Sequence, residues 1–340
     1  MPSLPAPAQR FLAFPERLAL LRAAPRFYTV FVPIFCVGYC AAIAAAGGLG
    51  PEHFVLCAIL LFFSFFNDET RKLARIVFPF LLYAVVYDSM RYYEDYIRSP
   101  VIHLREPYDF DHRFFGIHTA TAVLTPNEWL QLHTSAVLDF FCGLAYTPFF
   151  FVGESTLLAL YLFYRCSERR AERFVWIFVV ANFVGFSIYY IYPAAPPWYV
   201  AAHGFVLDMS VRASAAGALR FDALIGLPVM ADFYGKSADV FGAIPSLHIV
   251  YPFLALVYGF RLPRFRIAAL LYWLLVCFSA IYLNHHYVLD LIVGLSLALL
   301  VMGAFRLLFG PADECESQPG PLVVKAARTL PHRDRSRRSA

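Results

Sequence analysis

Phe241-Gly242-Ala243-Ile244-Pro245-Ser246-Leu247-His248 opens, and Ser279-Ala280-Ile281-Tyr282-Leu283-Asn284-His285-His286-Tyr287-Val288-Leu289-Asp290 closes, the stretch that decides how this 340-residue chain folds. Between them lie two apolar runs, 249–260 and 267–283, split by the basic turn Arg261-Leu262-Pro263-Arg264-Phe265-Arg266. If each run crosses a bilayer, the chain goes over and comes back, so His248 and His286 end on the same side. Asp290 follows His286 by four residues, a spacing that puts both on one helical face. Two imidazoles and a carboxylate at one membrane surface read as a nucleophile, an orienting acid and a proton donor.

Composition points the same way. Hydrophobic residues make up 60% of the chain and charged residues 15%, whereas soluble domains carry about 25% charged residues. An integral membrane protein is expected, with no cleaved secretory signal. The seven cysteines lie mostly inside apolar runs, so no disulfide framework is expected. There is no CxxC, HExxH, Gly-rich phosphate loop or basic-aromatic pattern. No cofactor, metal or nucleic-acid partner is therefore expected.

A spanning helix needs about 20 apolar residues, fewer in some multi-helix bundles. Runs 27–48, 53–66 and 76–87 (extending to about Met90) qualify, followed by 137–164, with Pro148 expected to kink it, and 174–192. The over-and-back pair and 291–309 complete eight. The expected fold is all-α, a polytopic bundle with two long loop regions, 91–133 and 193–243, on one side. Residues 1–26 are expected to be a cytoplasmic segment and 27–309 the membrane-embedded catalytic domain, with its core at 76–309. Residues 310–340 read as a disordered basic cytoplasmic tail.

Charge sets the orientation. With eight spans, 21 of the 28 Lys and Arg residues fall on the side of the termini, including Arg71, Lys72 and Arg75, Arg165 to Arg173, and Arg261 to Arg266. The positive-inside rule makes that side cytoplasmic. His248 and His286 then face away from the cytoplasm, beneath the two long loops. In 91–133, the run Pro126-Asn127-Glu128-Trp129-Leu130 reads as the start of a short interfacial helix.

Transfer of a phosphoryl group needs a nucleophile, a proton for the departing oxygen and donors for the phosphate oxygens. His286 suits the nucleophile if Asp290 holds its other nitrogen, and His248 suits the proton donor. Ser246 and free N–H groups at the following helix start suit an anion. Taken singly, each of these residues reads equally well as an interfacial cap; jointly, an aspartate at a span mouth needs a partner, and one lies a turn away. A metal site is the rival, weakened because adjacent His285 and His286 diverge by about 100° on a helix.

Pro-Ser-x-His, followed by Ser with His seven and Asp eleven residues on, resembles the second and third motifs of the type-2 phosphatidate phosphatase superfamily (lipid phosphate phosphatases). By that resemblance His286 becomes phosphorylated, Asp290 partners it and His248 protonates the leaving group. Ala280 stands where the superfamily usually has Arg, and no Lys-x6-Arg-Pro occurs. Tyr192-Pro193-Ala194-Ala195-Pro196-Pro197-Trp198-Tyr199 and Tyr87-Asp88-Ser89-Met90-Arg91, together with Phe-Gly-Ala-x-Pro-Ser-Leu-His and His-His-Tyr-x-x-Asp, resemble the inositol phosphorylceramide synthase branch (the aureobasidin-sensitive inositolphosphotransferases).

That branch implies a phospholipid donor, phosphatidylinositol, and a lipid acceptor, ceramide. Rival readings are a lipid phosphate or polyprenyl diphosphate phosphatase using water, and a non-enzymatic lipid-binding or transport protein. Candidates to replace the missing basic phosphate ligands are Arg91, near Asp88, and Lys236; Arg212 and Arg220 come behind them. Trp198 is expected to shape the headgroup pocket. Glu154, in the long fourth run, reads as a polar contact to neighbouring spans, and Asp139 either lines the bundle interior with it or sits at the outer boundary. A bacterial inner membrane is the favoured location, with an organelle lumen the alternative for the outer side.

Overall fold

The computed structural model describes residues 27–235, 239–259 and 266–311. The expected amino-terminal segment, nearly all of the tail, the turn from Arg261 to Phe265, and Lys236 lie outside these residues. The described chain is mostly helical. After a π-helical turn, Phe27–Phe31, come α1 (Val32–Ala45), α2 (Pro51–Phe65), α3 (Asp68–Ile97), α4 (Glu106–Phe115), α5 (Pro126–Gln131), α6 (Ala136–Ala145) and α7 (Pro148–Arg165). Then follow α8 (Glu168–Ile191), α9 (Pro197–His203), α10 (Leu219–Ile225), α11 (Val229–Tyr234), α12 (Leu247–Gly259), α13 (Arg266–Tyr282) and α14 (Val288–Phe309). One antiparallel ribbon, β1 (Ile117–His118) with β2 (Val123–Leu124), sits between α4 and α5.

Among the described residues, three helices, α3, α8 and α14, are long and apolar enough to cross a membrane, and α1, α2, α6, α12 and α13 are shorter apolar helices. Two segments differ from the sequence reading. Helix α3 runs well past the apolar stretch at both ends. Asn67 Oδ1 accepts from Thr70 N at 2.8 Å and Thr70 Oγ1 from Asn67 N at 3.1 Å, a capping box that fixes its start. Pairs Asp68–Arg71 and Glu69–Lys72 support the first turns, and Glu94 and Asp95 both pair with Arg98 at the last.

The expected kinked span over 137–164 is instead two helices. Proline at the start of α7 has no N–H to give to the preceding turn, and Thr147 before it is extended (φ −69°, ψ 137°). The chain breaks there, leaving α6 as a short helix packed on α13 and α10. The disulfide expectation also needs a correction. Cys166, just past the end of α7 rather than within an apolar run, is disulfide-bonded, while Cys36, Cys40, Cys57, Cys142 and Cys277 are free thiols.

Helix α8 is the axis of the bundle, packing against α3, α7, α12 and α14. Its buried positions Ala171, Phe174, Val175, Phe178, Asn182, Gly185, Phe186 and Tyr189 recur at helical spacing. Two glycines bring backbones together near the head of α12. A Cβ on Gly185 would stand 2.8 Å from Leu247, and one on Gly294 would stand 2.4 Å from the Ser246 carbonyl. Those contacts seat the start of α12 between α8 and α14. A second core joins Tyr146, Tyr282 and Leu283 to Phe221 and Met230 of the second long loop region.

Candidate active site

The site forms where α12 begins and α13 hands over to α14. Helix α13 ends at Tyr282, and Asn284 adopts the left-handed region (φ 62°), which asparagine tolerates better than most residues. The turn returns the N–H groups of His285 and His286 to the Ala280 carbonyl, each at 3.0 Å. Helix α14 starts only at Val288, so His286 lies in the connecting loop rather than on a shared helical face. Asp290 reaches back from the third helical position. Its Oδ2 accepts from the Tyr287 N–H at 3.0 Å and from His286 Nδ1 at 3.1 Å. One carboxylate thus caps the helix and orients the ring.

The hydrogen bonds continue from ring to ring. His286 Nε2 lies 3.2 Å from His248 Nδ1, and His248 Nε2 lies 3.1 Å from the Tyr234 hydroxyl. With Asp290 ionised, its partner Nδ1 carries a proton, so His286 Nε2 presents a lone pair and accepts from His248. Burial pushes the His286 imidazole down to about 4 and His285 down to about 3, keeping both neutral at ordinary pH. A neutral Nε2 lone pair held by a carboxylate behind it is the arrangement of a nucleophile.

His285 does not join this series. Its Nε2 lies 2.9 Å from the Ala215 carbonyl, which ties the loop to the segment before α10. Tyr146 stacks on His248, with ring centroids 4.5 Å apart and planes at 20°.

Polar side chains from distant parts of the chain clamp the loop. Asn127 of α5 donates to the carbonyls of Ile281 and His286, both at 3.0 Å. Gln131 donates to the Tyr282 carbonyl at 2.9 Å. Arg220 pairs with Asp139 at 2.6 Å and reaches Gln131 at 3.0 Å. Asp111 of α4, fully buried, accepts from the Val288 N–H at 2.7 Å and the Leu289 N–H at 3.0 Å, capping α14. Burial pushes this carboxyl up to about 6, against the two N–H groups that favour its ionised form. Trp198 N–H donates to the Asn284 carbonyl at 3.1 Å, docking the Tyr192–Tyr199 run on the same turn.

A cavity of about 180 Å³ opens beside the two histidines. His248, His286 and His285 line it, with Tyr83, Tyr87, Tyr189, Tyr234 and Tyr251. Trp198 and Pro196 form part of the wall, as does Asp239, whose Oδ1 accepts from the Phe241 N–H at 2.9 Å. The described lining contains no Lys or Arg. Arg91 and Asp88 are not part of it: they pair with each other, and Asp88 Oδ2 lies 3.2 Å from His53 Nε2 of α2. Ser246 is fully buried beside the cavity, its Oγ without a hydrogen-bond partner and its N–H donated to the Asp290 carbonyl at 3.0 Å. Lys236 lies outside the described residues.

Sequence reasoning missed Asp111, Asn127, Tyr234 and the tyrosine wall. Only Tyr83 and Tyr87, one turn apart on α3, carried a usable signal, a repeated phenol at helical spacing beside a residue already under suspicion.

Known proteins are similar to this chain in sequence. The sequence pattern of the PAP2 superfamily matches residues 117–304. A phosphoinositol dihydroceramide synthase of Bacteroides thetaiotaomicron is 36% identical over 260 residues, covering 76% of this chain and 84% of that one. The inositol phosphorylceramide synthase catalytic subunit of Schizosaccharomyces pombe is 30% identical over 233 residues, covering 66% of this chain and 53% of its own. Its Candida albicans counterpart is 35% identical over 172 residues, 49% of this chain and 36% of its own. No solved structure matches. The chain belongs to the PAP2 superfamily, and to its lipid phosphotransferases, the group that holds these synthases.

Proposed function

We propose that this membrane enzyme moves inositol phosphate from phosphatidylinositol to a ceramide through a phosphohistidine on His286. The observation that carries the reading is the hydrogen-bonded series Asp290–His286–His248 at the wall of one cavity. A donor phosphate enters between His286 Nε2 and His248 Nδ1, replacing their direct hydrogen bond. His286 Nε2 attacks phosphorus, and positive charge developing on its ring is balanced by Asp290. The bond to the diacylglycerol oxygen breaks as His248 gives that oxygen its proton. Inositol phosphate is then held by a P–N bond. The ceramide hydroxyl gives its proton to His248 and attacks phosphorus, the P–N bond breaks, and His286 is neutral again.

Without Lys or Arg in the described lining, we assign the hydroxyls of Tyr83 and Tyr87 to the headgroup and phosphate oxygens; those of Tyr189, Tyr251 and Tyr234 serve the Pro245 carbonyl, Asn182 and His248. The names of the relatives support the two lipids, since the bacterial one is a phosphoinositol dihydroceramide synthase. The apolar walls Met90, Phe186 and Phe233 favour a lipid alcohol over water as acceptor.

The wider reading has eight spans, with the α6–α7 pair traversing as a broken unit and residues 27–309 as the catalytic unit. The weight of basic loops on the opposite side supports an extracytoplasmic site. Expression in a host lacking sphingolipids, supplied with ceramide and phosphatidylinositol, tests the chemistry. Mass spectrometry is expected to find inositol phosphorylceramide and diacylglycerol in equal amounts. Free inositol phosphate formed without ceramide would mark a hydrolase instead. Cysteine labelling from outside intact cells, at positions in 206–212 against 167–169, tests the orientation.

A further inference from the structure

The geometry points to Tyr234 as a positioning residue for this reaction: it holds the far nitrogen of His248 so that proton exchange with substrate runs through Nδ1. The inference rests on the phosphohistidine reading above and adds to it a residue from α11, 14 positions away from His248 in sequence.

Among the described residues, four side chains face the His248 ring. His286 and His285 come from the loop before α14, Tyr146 from the end of α6 and Tyr234 from α11. Asp290 stands behind His286, and Asp239 lines the same cavity. Of the four, His286 meets Nδ1 at 3.2 Å and the buried Tyr234 hydroxyl meets Nε2 at 3.1 Å. Tyr146 offers its face to the ring, and His285 is bonded to the Ala215 carbonyl.

The proton accounting gives the phenol its work. With substrate bound, His248 carries protons on both nitrogens. The Nδ1 proton goes to the departing oxygen as the O–P bond breaks. The second proton must stay on Nε2, where it is donated to the Tyr234 oxygen. Only then does Nδ1 bear the lone pair that takes the acceptor's proton in the second half-reaction. A hydroxyl suits both states, since it donates to Nε2 when that nitrogen is bare and accepts from it when protonated. Phenylalanine would take away the acceptor that Tyr234 offers this buried, charged N–H, which costs the amount usually associated with a hydrogen bond to a charged group.

Tyr234→Phe keeps the ring, including its packing 4.6 Å from His285, and removes only the oxygen. The test uses the purified full chain in nanodiscs, with two donors: phosphatidylinositol, and a p-nitrophenyl ester of inositol phosphate whose leaving group needs no proton. The variant is expected to keep the wild-type unfolding midpoint and to lose about 10- to 100-fold in kcat with phosphatidylinositol. The alkaline limb of its kcat profile, where substrate-bound His248 must still be protonated, is expected to move to lower pH. Release of p-nitrophenol in the first turnover is expected to stay near the wild-type rate. A pH profile that superimposes on wild type, or equal loss with both donors, overturns the assignment and leaves Tyr234 a packing residue. His248→Ala is the control: if it slows p-nitrophenol release as much as the natural reaction, His248 is no proton donor, and the parent reading falls together with this one.

Discussion

Removing the Asp111 carboxylate is expected to loosen α14 at the end that carries Asp290. Its two oxygens take the N–H groups of Val288 and Leu289 at 2.7 and 3.0 Å, and the residue is fully buried. A helix start leaves four N–H groups without intrahelical partners. In Asp111→Ala, two of them lose an acceptor where water is scarce. Exposed caps are worth about 1 kcal/mol, but hydrogen bonds to charged groups run to about 1.5–3 kcal/mol each, and the buried case follows the larger figure. We expect about 3–5 kcal/mol for Asp111→Ala and roughly 1–2 kcal/mol for Asp111→Asn, which keeps one oxygen.

Asp111 also carries a pH signature. Burial raises its carboxyl to about 6 in the folded protein, above the unfolded value of about 3.9. The folded state therefore binds more protons between those values, so this group's contribution to stability grows as pH falls through 6 and levels off below about 4. Wild type is expected to gain up to roughly 2–3 kcal/mol on Asp111→Asn over that interval. Denaturant unfolding in micelles at pH 7 and pH 4.5, with turnover measured in parallel, checks both. An Asp111→Ala variant within about 1 kcal/mol of wild type, at unchanged kcat, would refute the reasoning.

Gly294→Ala drives a Cβ to 2.4 Å from the Ser246 carbonyl, backbone against backbone. It is expected to cost about 1–3 kcal/mol and to slow turnover by displacing the head of α12; unfolding and kcat measured together check it. Arg220→Ala takes the cation from the buried Asp139, whose Oδ1 it meets at 2.6 Å, and leaves that oxygen the Tyr282 hydroxyl at 2.8 Å. A loss of about 3 kcal/mol is expected in thermal unfolding, with Asp139→Asn in the Arg220→Ala background recovering part of it.

The meeting of His248 and His286 was legible because it needed only run lengths and a turn. Two apolar stretches separated by a short basic segment leave little choice about where their outer ends go. The local chemistry of the binding wall was not legible in the same way. Asp88 and Arg91 drew attention for their charge, yet Tyr87 is the neighbour that lines the cavity. A helix rotates about 100° per residue, so Asp88 turns toward His53 of α2 instead.

Asp111 and Asn127 act on carbonyls and N–H groups more than 150 positions away. Backbone partners carry no side-chain signature, so nothing in either local sequence announces the contact. The break before Pro148 was half visible. Proline marked the place, but whether a helix kinks or stops depends on the residues that pack there, and α6 stops because it turns onto α13 and α10.

The covalent intermediate tests the account most directly. Purified protein mixed with phosphatidylinositol in the absence of ceramide, quenched in base within a turnover and digested, is expected to yield a peptide containing His286 that carries inositol phosphate through an acid-labile P–N bond. Adding ceramide before the quench should empty it, and His286→Ala should never fill. Transfer to ceramide at the full wild-type rate by His286→Ala, or an adduct on any other residue, would contradict the account.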